Sequence, residues 1–236
     1  MIVGKDVAKV SASAEGCTFE NKAYKATIGN TTFTIYDTTG LNEGDRGRVP
    51  HCKAVRGLYK VIRQLNGVSL LVCCMRGRAW ENIRFNWILF NKVICGEKVP
   101  IVAVVTGLET YGNPDDWKSE GMSVLQKNGM TPKAVGCVVS YQEKRDVYAQ
   151  SQVKVRNLII KHYLREPWSE EKDEWFASSY HDVPITRFCF PSRRLDYSTE
   201  MRNRLSELIT VSKMEKEDTK KLEAALLTAE KQFRKR

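Results

Sequence analysis

The sequence predicts an α/β protein built around a doubly wound, mostly parallel sheet, and two observations lead to this class. Residues 67–75 and 99–107 are continuous apolar runs, the pattern of strands that are buried on both faces of a parallel sheet. Segments with helical periodicity separate and follow these runs. Because such strands and helices are joined by right-handed crossovers, we expect helices on both faces of the sheet and a third buried strand at residues 133–140.

The elements around this sheet follow from periodicity and turn chemistry. Residues 24–28 and 32–36 flank Gly29 and Asn30, a two-residue turn that predicts an antiparallel hairpin. Apolar side chains that recur every three or four residues predict four amphipathic helices, at residues 52–66, 80–95, 116–128 and 147–164.

Beyond residue 166 the character of the sequence changes, so we divide the chain into a domain at 1–166 and a linker with a helical tail at 167–236. Residues 176–198 hold scattered aromatic residues and two prolines without a sustained period. A helix is predicted from residue 199, and a second apolar spacing follows at Leu222 and Leu226. Two alternatives stay open for the tail: pairing with a partner helix as a coiled coil, or docking on its own domain.

The composition narrows the classes of ligand. The chain has 236 residues, of which 42% are hydrophobic and 28% charged, values typical of a globular protein. No apolar run approaches the roughly 18 residues that a transmembrane helix needs. The net charge of +10 favours a polyanion, such as a nucleotide, RNA or an acidic membrane. The basic stretch MRGRAW at 75–80 raises RNA binding as an alternative, but a solvated loop after a strand is the simpler interpretation, and we do not expect nucleic acid binding.

The seven cysteines do not form a metal-binding pattern. They show no C-x-x-C spacing, and the three histidines show no H-x-x-x-H spacing, so no zinc site is predicted. We expect reduced thiols and, from them, a cytoplasmic protein.

Polar residues follow the predicted strands at the points where ligands bind in doubly wound folds. Asp37 and Gly40 come after the second strand of the hairpin, Thr106 to Glu109 follow the run at 99–107, and Ser140 ends the last strand. We therefore expect these residues to share one edge of the sheet.

The order of these residues along the chain is that of a guanine-nucleotide site. In such a layout Thr18 and Asp37 reach Mg²⁺, the amide of Gly40 reaches the γ-phosphate, and the two later loops read the base. The sequence thus predicts GTP and Mg²⁺ as ligands.

Four stretches carry a resemblance to a known family: EGCTFENKAY, YDTTGLNEGD, GVSLLVCCMRG and VPIVAVVTGLE. They resemble the G domains of the septin-like and immunity-associated (paraseptin) P-loop GTPases, in particular an uncharacterised fungal group, over residues 4–164. The resemblance implies a three-layer Ras-like fold, GTP hydrolysis and nucleotide-dependent pairing of two G domains. It matches Thr18 to the first switch, Asp37 and Gly40 to the Mg²⁺ and γ-phosphate motif, and Thr106 to Glu109 to the base-recognition motif.

Three positions depart from the pattern of this family. Gly107 stands where a Lys stem would pack over the purine, and Glu109 replaces an Asp that would accept two hydrogen bonds from guanine. Leu41 follows Gly40 where Ras-type proteins have a Gln that orients water, so we expect slow hydrolysis.

The phosphate loop is the largest departure. A G-x-x-x-x-G-K-[ST] motif must cradle the β-phosphate, and the sequence does not contain one. By the resemblance, the strand before that loop lies between the 32–36 strand and the 67–75 strand, so its absence leaves a gap or forces its neighbours to close up. We expect an N-terminally incomplete G domain with impaired nucleotide binding. The alternative is a non-enzymatic pseudo-GTPase scaffold that acts on a protein partner through its basic helical tail.

Overall fold

A computed structural model describes residues 1–2, 22–37, 65, 67–77, 81–141, 143, 145–169, 176–185, 188–197, 199–212 and 216–233. Its first element is the predicted hairpin. Strands β1 (Lys22–Ile28) and β2 (Thr31–Asp37) pair antiparallel, from Lys22 opposite Asp37 to Ile28 opposite Thr31. Gly29 has a φ of 58° in the connecting turn, the left-handed conformation that favours glycine.

Three parallel strands form the central sheet in the order β3–β4–β5: β3 (Leu71–Arg76), β4 (Ile101–Thr106) and β5 (Val135–Cys137). Strand β4 is buried on both faces from Ile101 to Val105, which confirms the prediction for this run. The same prediction is wrong for β3, whose residues Leu71 to Cys73 are half-buried and whose Cys74 is exposed. The difference follows from position, because β3 is an edge strand of this sheet among the described residues.

Helices alternate with the strands of this sheet along the chain, as the sequence predicted. The described helices of this part of the chain are α1 (Glu81–Trp87), a π-helix (Ile88–Ile94), a 3₁₀ turn (Pro114–Trp117), α2 (Lys118–Lys127) and α3 (Arg145–His162). The single helix expected at 80–95 is therefore an α-helix that widens into a π-helix, where the N–H of Cys95 bonds to the carbonyl of Phe90, five residues back. The helix predicted at 52–66 lies outside the described residues.

The tail contains an element that the sequence did not predict. Strands β6 (Phe176–Ile185) and β7 (Phe188–Tyr197) form a second antiparallel hairpin where no regular structure was expected. Pro184 and Pro191 lie within these strands. Proline cannot donate to a strand ladder, so the segment lacks the pattern from which strands are recognised.

The last two described elements are helices, α4 (Thr199–Ser212) and α5 (Lys216–Phe233). Their buried apolar side chains belong to the same hydrophobic cluster as the π-helix and one face of β4: Met201, Leu205, Leu208, Leu222 and Leu226. Of the two alternatives for the tail, the structure thus shows docking on the chain's own core for these side chains. No helix in the described ranges combines the length and apolar character needed to cross a membrane.

The hairpin β1–β2 and the central sheet are separate sheets within the described residues, since no backbone pairing joins β2 to β3. Helix α3 connects them instead. Arg156 donates hydrogen bonds to the carbonyls of Thr27 and Ile2, and the rings of Phe33 and Tyr163 meet edge to face with centroids 5.1 Å apart. Strands β2 and β3, which were expected either to leave a gap or to close up, do not pair with each other among the described residues.

A close contact at Gly121 gives the first prediction. A Cβ built on Gly121 would lie 2.4 Å from the indole of Trp117, whose Nε1 donates to the carbonyl of Gly77 at 3.1 Å. We expect Gly121→Ala to lower the free energy of unfolding by about 1–3 kcal/mol through overpacking, measured by urea denaturation. Gly112→Ala is the matched control, because a Cβ there meets no atom within 4 Å. Equal midpoints for the two variants would contradict this packing.

A second prediction tests the docking of the tail. Leu205 is 2% exposed within the core cluster, so Leu205→Ala should lower the free energy of unfolding by about 2–5 kcal/mol. Asn203→Ala, on the exposed side of the same helix, should change it little. A tail that does not contribute to the core would instead leave the main unfolding transition of the Leu205 variant unchanged.

Candidate functional site

The candidate site lies at the edge of the sheet where β3, β4 and β5 end. Because the three strands are parallel, their carboxyl ends present Arg76, the 106–109 loop and Ser140 at the same edge. The hydroxyl of Thr106 donates to the carbonyl of Met75 at 3.2 Å and so ties the end of β4 to the end of β3.

The 106–109 loop is shaped by its backbone and anchored by one apolar side chain. Gly107 has a φ of 75°, a conformation in which a lysine would be strained. Leu108 is fully buried in the main hydrophobic cluster. This anchor places Glu109, the next residue, at the surface of the edge.

Glu109 and Ser140 form the central contact of the site. The Glu109 Oε1 atom accepts two hydrogen bonds, from the Ser140 amide at 3.1 Å and from the Ser140 hydroxyl at 2.9 Å. Desolvation alone would raise the pKa of the Glu109 carboxyl. Bonds from its own backbone and from Ser140, together with the charge of Arg76, outweigh that effect and hold the pKa below its ordinary value. The side chain is therefore a fixed carboxylate at neutral pH.

A second set of charged residues stabilises the same edge, and the sequence analysis did not identify it. Lys154 of α3 donates to Asp115 Oδ2 at 2.9 Å and to the carbonyl of Cys137 at 3.2 Å, and Lys118 lies 2.9 Å from Asp115 Oδ1. These bonds connect α3, the 3₁₀ turn and the end of β5. The sequence signal that could have indicated this turn is Asn113, whose side chain caps it by accepting a hydrogen bond from the Asp115 amide.

Asp37 belongs to the β1–β2 hairpin, which is a different sheet from the one that ends at the Glu109–Ser140 pair. It is the last residue of β2, and its side chain is exposed. Thr18 and Gly40, the other predicted ligands of Mg²⁺ and phosphate, lie outside the described residues. In the described ranges no three His, Cys, Asp or Glu residues converge as a metal cluster. The structure thus brings together Thr106, Glu109 and Ser140 of the predicted set.

Ser140→Ala should raise the pKa of Glu109 towards its ordinary value, because the variant loses a hydroxyl that bonds to the ionised carboxylate. A lowered pKa stabilises the fold above the pKa of the unfolded chain, and this contribution is lost as the pH falls through the folded pKa. The stability difference between the two proteins should therefore be present at neutral pH and shrink in acid. NMR titration of the Glu109 carboxyl carbon measures the shift, with Ser123→Ala as control. An unchanged titration would contradict the contact.

Comparison with known proteins adds little to this description. No family model matches the chain, and no curated protein matches it. Among solved structures it is similar to the translation elongation factor SelB from Methanococcus maripaludis, in complex with the GTP analogue GppNHp, at a TM-score of 0.41 and 15% identity. The match covers 76% of this chain but 36% of that protein, so the chain spans about a third of its length. At this level the likeness does not define a family, and the septin-like resemblance stays an expectation from the sequence.

Proposed function

We propose that this chain binds a guanine nucleotide at the carboxyl edge of β3–β5, as a GTP-binding protein of the P-loop GTPase type. The observation that carries the proposal is the Glu109 carboxylate, which Ser140 fixes through its amide and hydroxyl at the end of a parallel sheet. A fixed, ionised acceptor at this edge is suited to a base whose rim donates hydrogen bonds.

Guanine fits this acceptor better than adenine for a chemical reason. Guanine presents two neighbouring donors, N1–H and the exocyclic amine, whereas adenine presents one donor beside an acceptor. A carboxylate accepts only, so it pairs with the first pattern and repels the ring nitrogen of the second. Glu109 therefore supplies selectivity for guanine in this proposal.

The phosphate side of the site is assigned from the sequence, to one residue before β1 and two residues at or after the end of β2. Asp37 and Thr18 are the proposed Mg²⁺ ligands, and the amide of Gly40 is the proposed contact to the γ-phosphate. Mg²⁺ is commonly held by one or two carboxylates together with substrate phosphates, so a single Asp suits this role. Hydrolysis is slow in the proposal because Leu41 occupies the position of a Gln that orients water. We also expect weak affinity, since the printed sequence lacks the phosphate-loop motif.

The packing of the tail limits how the alternative of a non-enzymatic scaffold could act. Five apolar side chains of α4 and α5 are buried in the chain's own core. The described apolar face is therefore occupied, and a partner of the tail would meet its charged face instead.

Calorimetry with GDP, GTP, ADP and ATP tests the proposal. Wild-type protein should bind the guanine nucleotides more tightly than the adenine nucleotides. Glu109→Gln replaces one acceptor oxygen by a donor and should weaken guanine nucleotide binding by about tenfold or more. Glu120→Gln removes the same charge from the exposed surface of α2 and should bind like wild type. Absence of binding, or equal affinity of the wild type and the Glu109 variant, would refute the proposal.

A further inference from the structure

Arg76 is a basic residue at the candidate edge to which the proposed function gives no role. It is the last residue of β3, lies opposite Thr106 in the parallel register, and its side chain is exposed. It is also the first basic residue of the stretch at 75–80, for which the sequence analysis did not favour nucleic acid binding.

The side chain of Arg76 lies beside the position that a side chain at Gly107 would occupy. A Cβ built on Gly107 would lie 3.7 Å from Arg76 Nε and 3.8 Å from Arg76 Cγ. These are ordinary van der Waals distances, so the stem and guanidinium of Arg76 border the space into which a side chain at position 107 would extend. Glycine at 107 leaves that space to the arginine.

The charge of Arg76 also reaches Glu109, whose carboxyl pKa it helps to lower. The edge therefore places a planar cation beside a fixed carboxylate. These two groups contact a flat aromatic ligand in different ways: a guanidinium stacks on the face of a ring, and a carboxylate accepts hydrogen bonds from its rim.

We propose that the guanidinium of Arg76 is the surface on which the purine ring stacks, in place of the alkyl stem that is absent at Gly107. This inference rests on the proposed function and adds a base-binding residue to it. Arginine suits this role because its guanidinium group is planar and weakly hydrated. Every base has a π-face, so stacking by itself does not select guanine. Glu109 then selects the base, and Arg76 contributes affinity for it.

Two other roles are consistent with a cation at this edge, and they predict different behaviour. A ligand of the phosphates would contribute more as phosphates are added to the nucleoside. A simple ion-pair partner of Glu109 would act through charge, so lysine would replace it fully. A stacking surface should contribute equally to every ligand that carries the base, and it should require a planar group.

The experiment measures the dissociation constants of guanosine, GMP, GDP and GTP for wild type, Arg76→Ala and Arg76→Lys. Arg76→Ala should weaken all four by a similar factor, roughly 5- to 30-fold. Arg76→Lys should stay closer to the alanine variant than to wild type. Lys127→Ala, which removes an exposed charge at the end of α2, is the control and should bind like wild type.

The outcomes separate this inference from the proposed function. A loss that grows with the number of phosphates, or full recovery by lysine, would overturn the stacking role. Wild-type binding that Arg76→Ala leaves unchanged would overturn it while the proposed function stands. Failure of the wild type to bind any of the four ligands would overturn both.

Because Arg76 is exposed, urea denaturation of each variant should give the wild-type midpoint. A lowered midpoint in both Arg76 variants would assign the residue a structural role instead.

Discussion

The burial of β4 on both faces is the constraint on which the rest of the molecule depends. Ile101, Ala103 and Val105 face the cluster that holds the π-helix and the tail, and Val102 and Val104 face the cluster that holds α3. A fully buried aliphatic side chain contributes about 1.5–3 kcal/mol, and this one strand supplies such side chains to both clusters. The 106–109 loop begins where the strand ends and therefore starts from a rigid point, which suits a site that must hold a carboxylate in place.

Helix α3 provides the second constraint, because it holds the first hairpin, which does not pair with the central sheet among the described residues. Its Val155 and Ile159 lie in the cluster that includes Ile28 of the first hairpin, and its Arg156 bonds to the carbonyl of Thr27. The hairpin is thus held beside the central sheet through side chains and not through strand pairing. In the proposed function the two parts of the nucleotide site depend on different interactions: the base side on β4, and the Asp37 side on α3.

Much of the central fold could be predicted because its signals are local. A continuous apolar run identified β4, and Gly29 with Asn30 identified the first hairpin. The β6–β7 hairpin could not be predicted, since its two prolines and mixed composition hide the period of a strand. The exposure of Cys74 was also missed, because whether a strand lies at the edge of a sheet is decided by its neighbours and not by its own sequence.

The candidate site, like the fold, could be predicted only in part. Thr106, Glu109 and Ser140 could be placed at one edge because each follows a strand. The hydrogen bond from Ser140 to Glu109 joins residues 31 positions apart, so neither sequence segment alone predicts it. The position of Arg76 beside Gly107 depends in turn on the parallel register of β3 and β4, which the sequence alone does not determine.

Hydrogen–deuterium exchange with and without GDP tests most directly whether this edge is the nucleotide site. The account predicts slower exchange on addition of GDP in peptides that cover residues 106–109 and 138–141, with no change at the opposite edge around residues 127–130. Protection confined to other parts of the chain, such as α4 and α5, or no protection at saturating GDP, would contradict it.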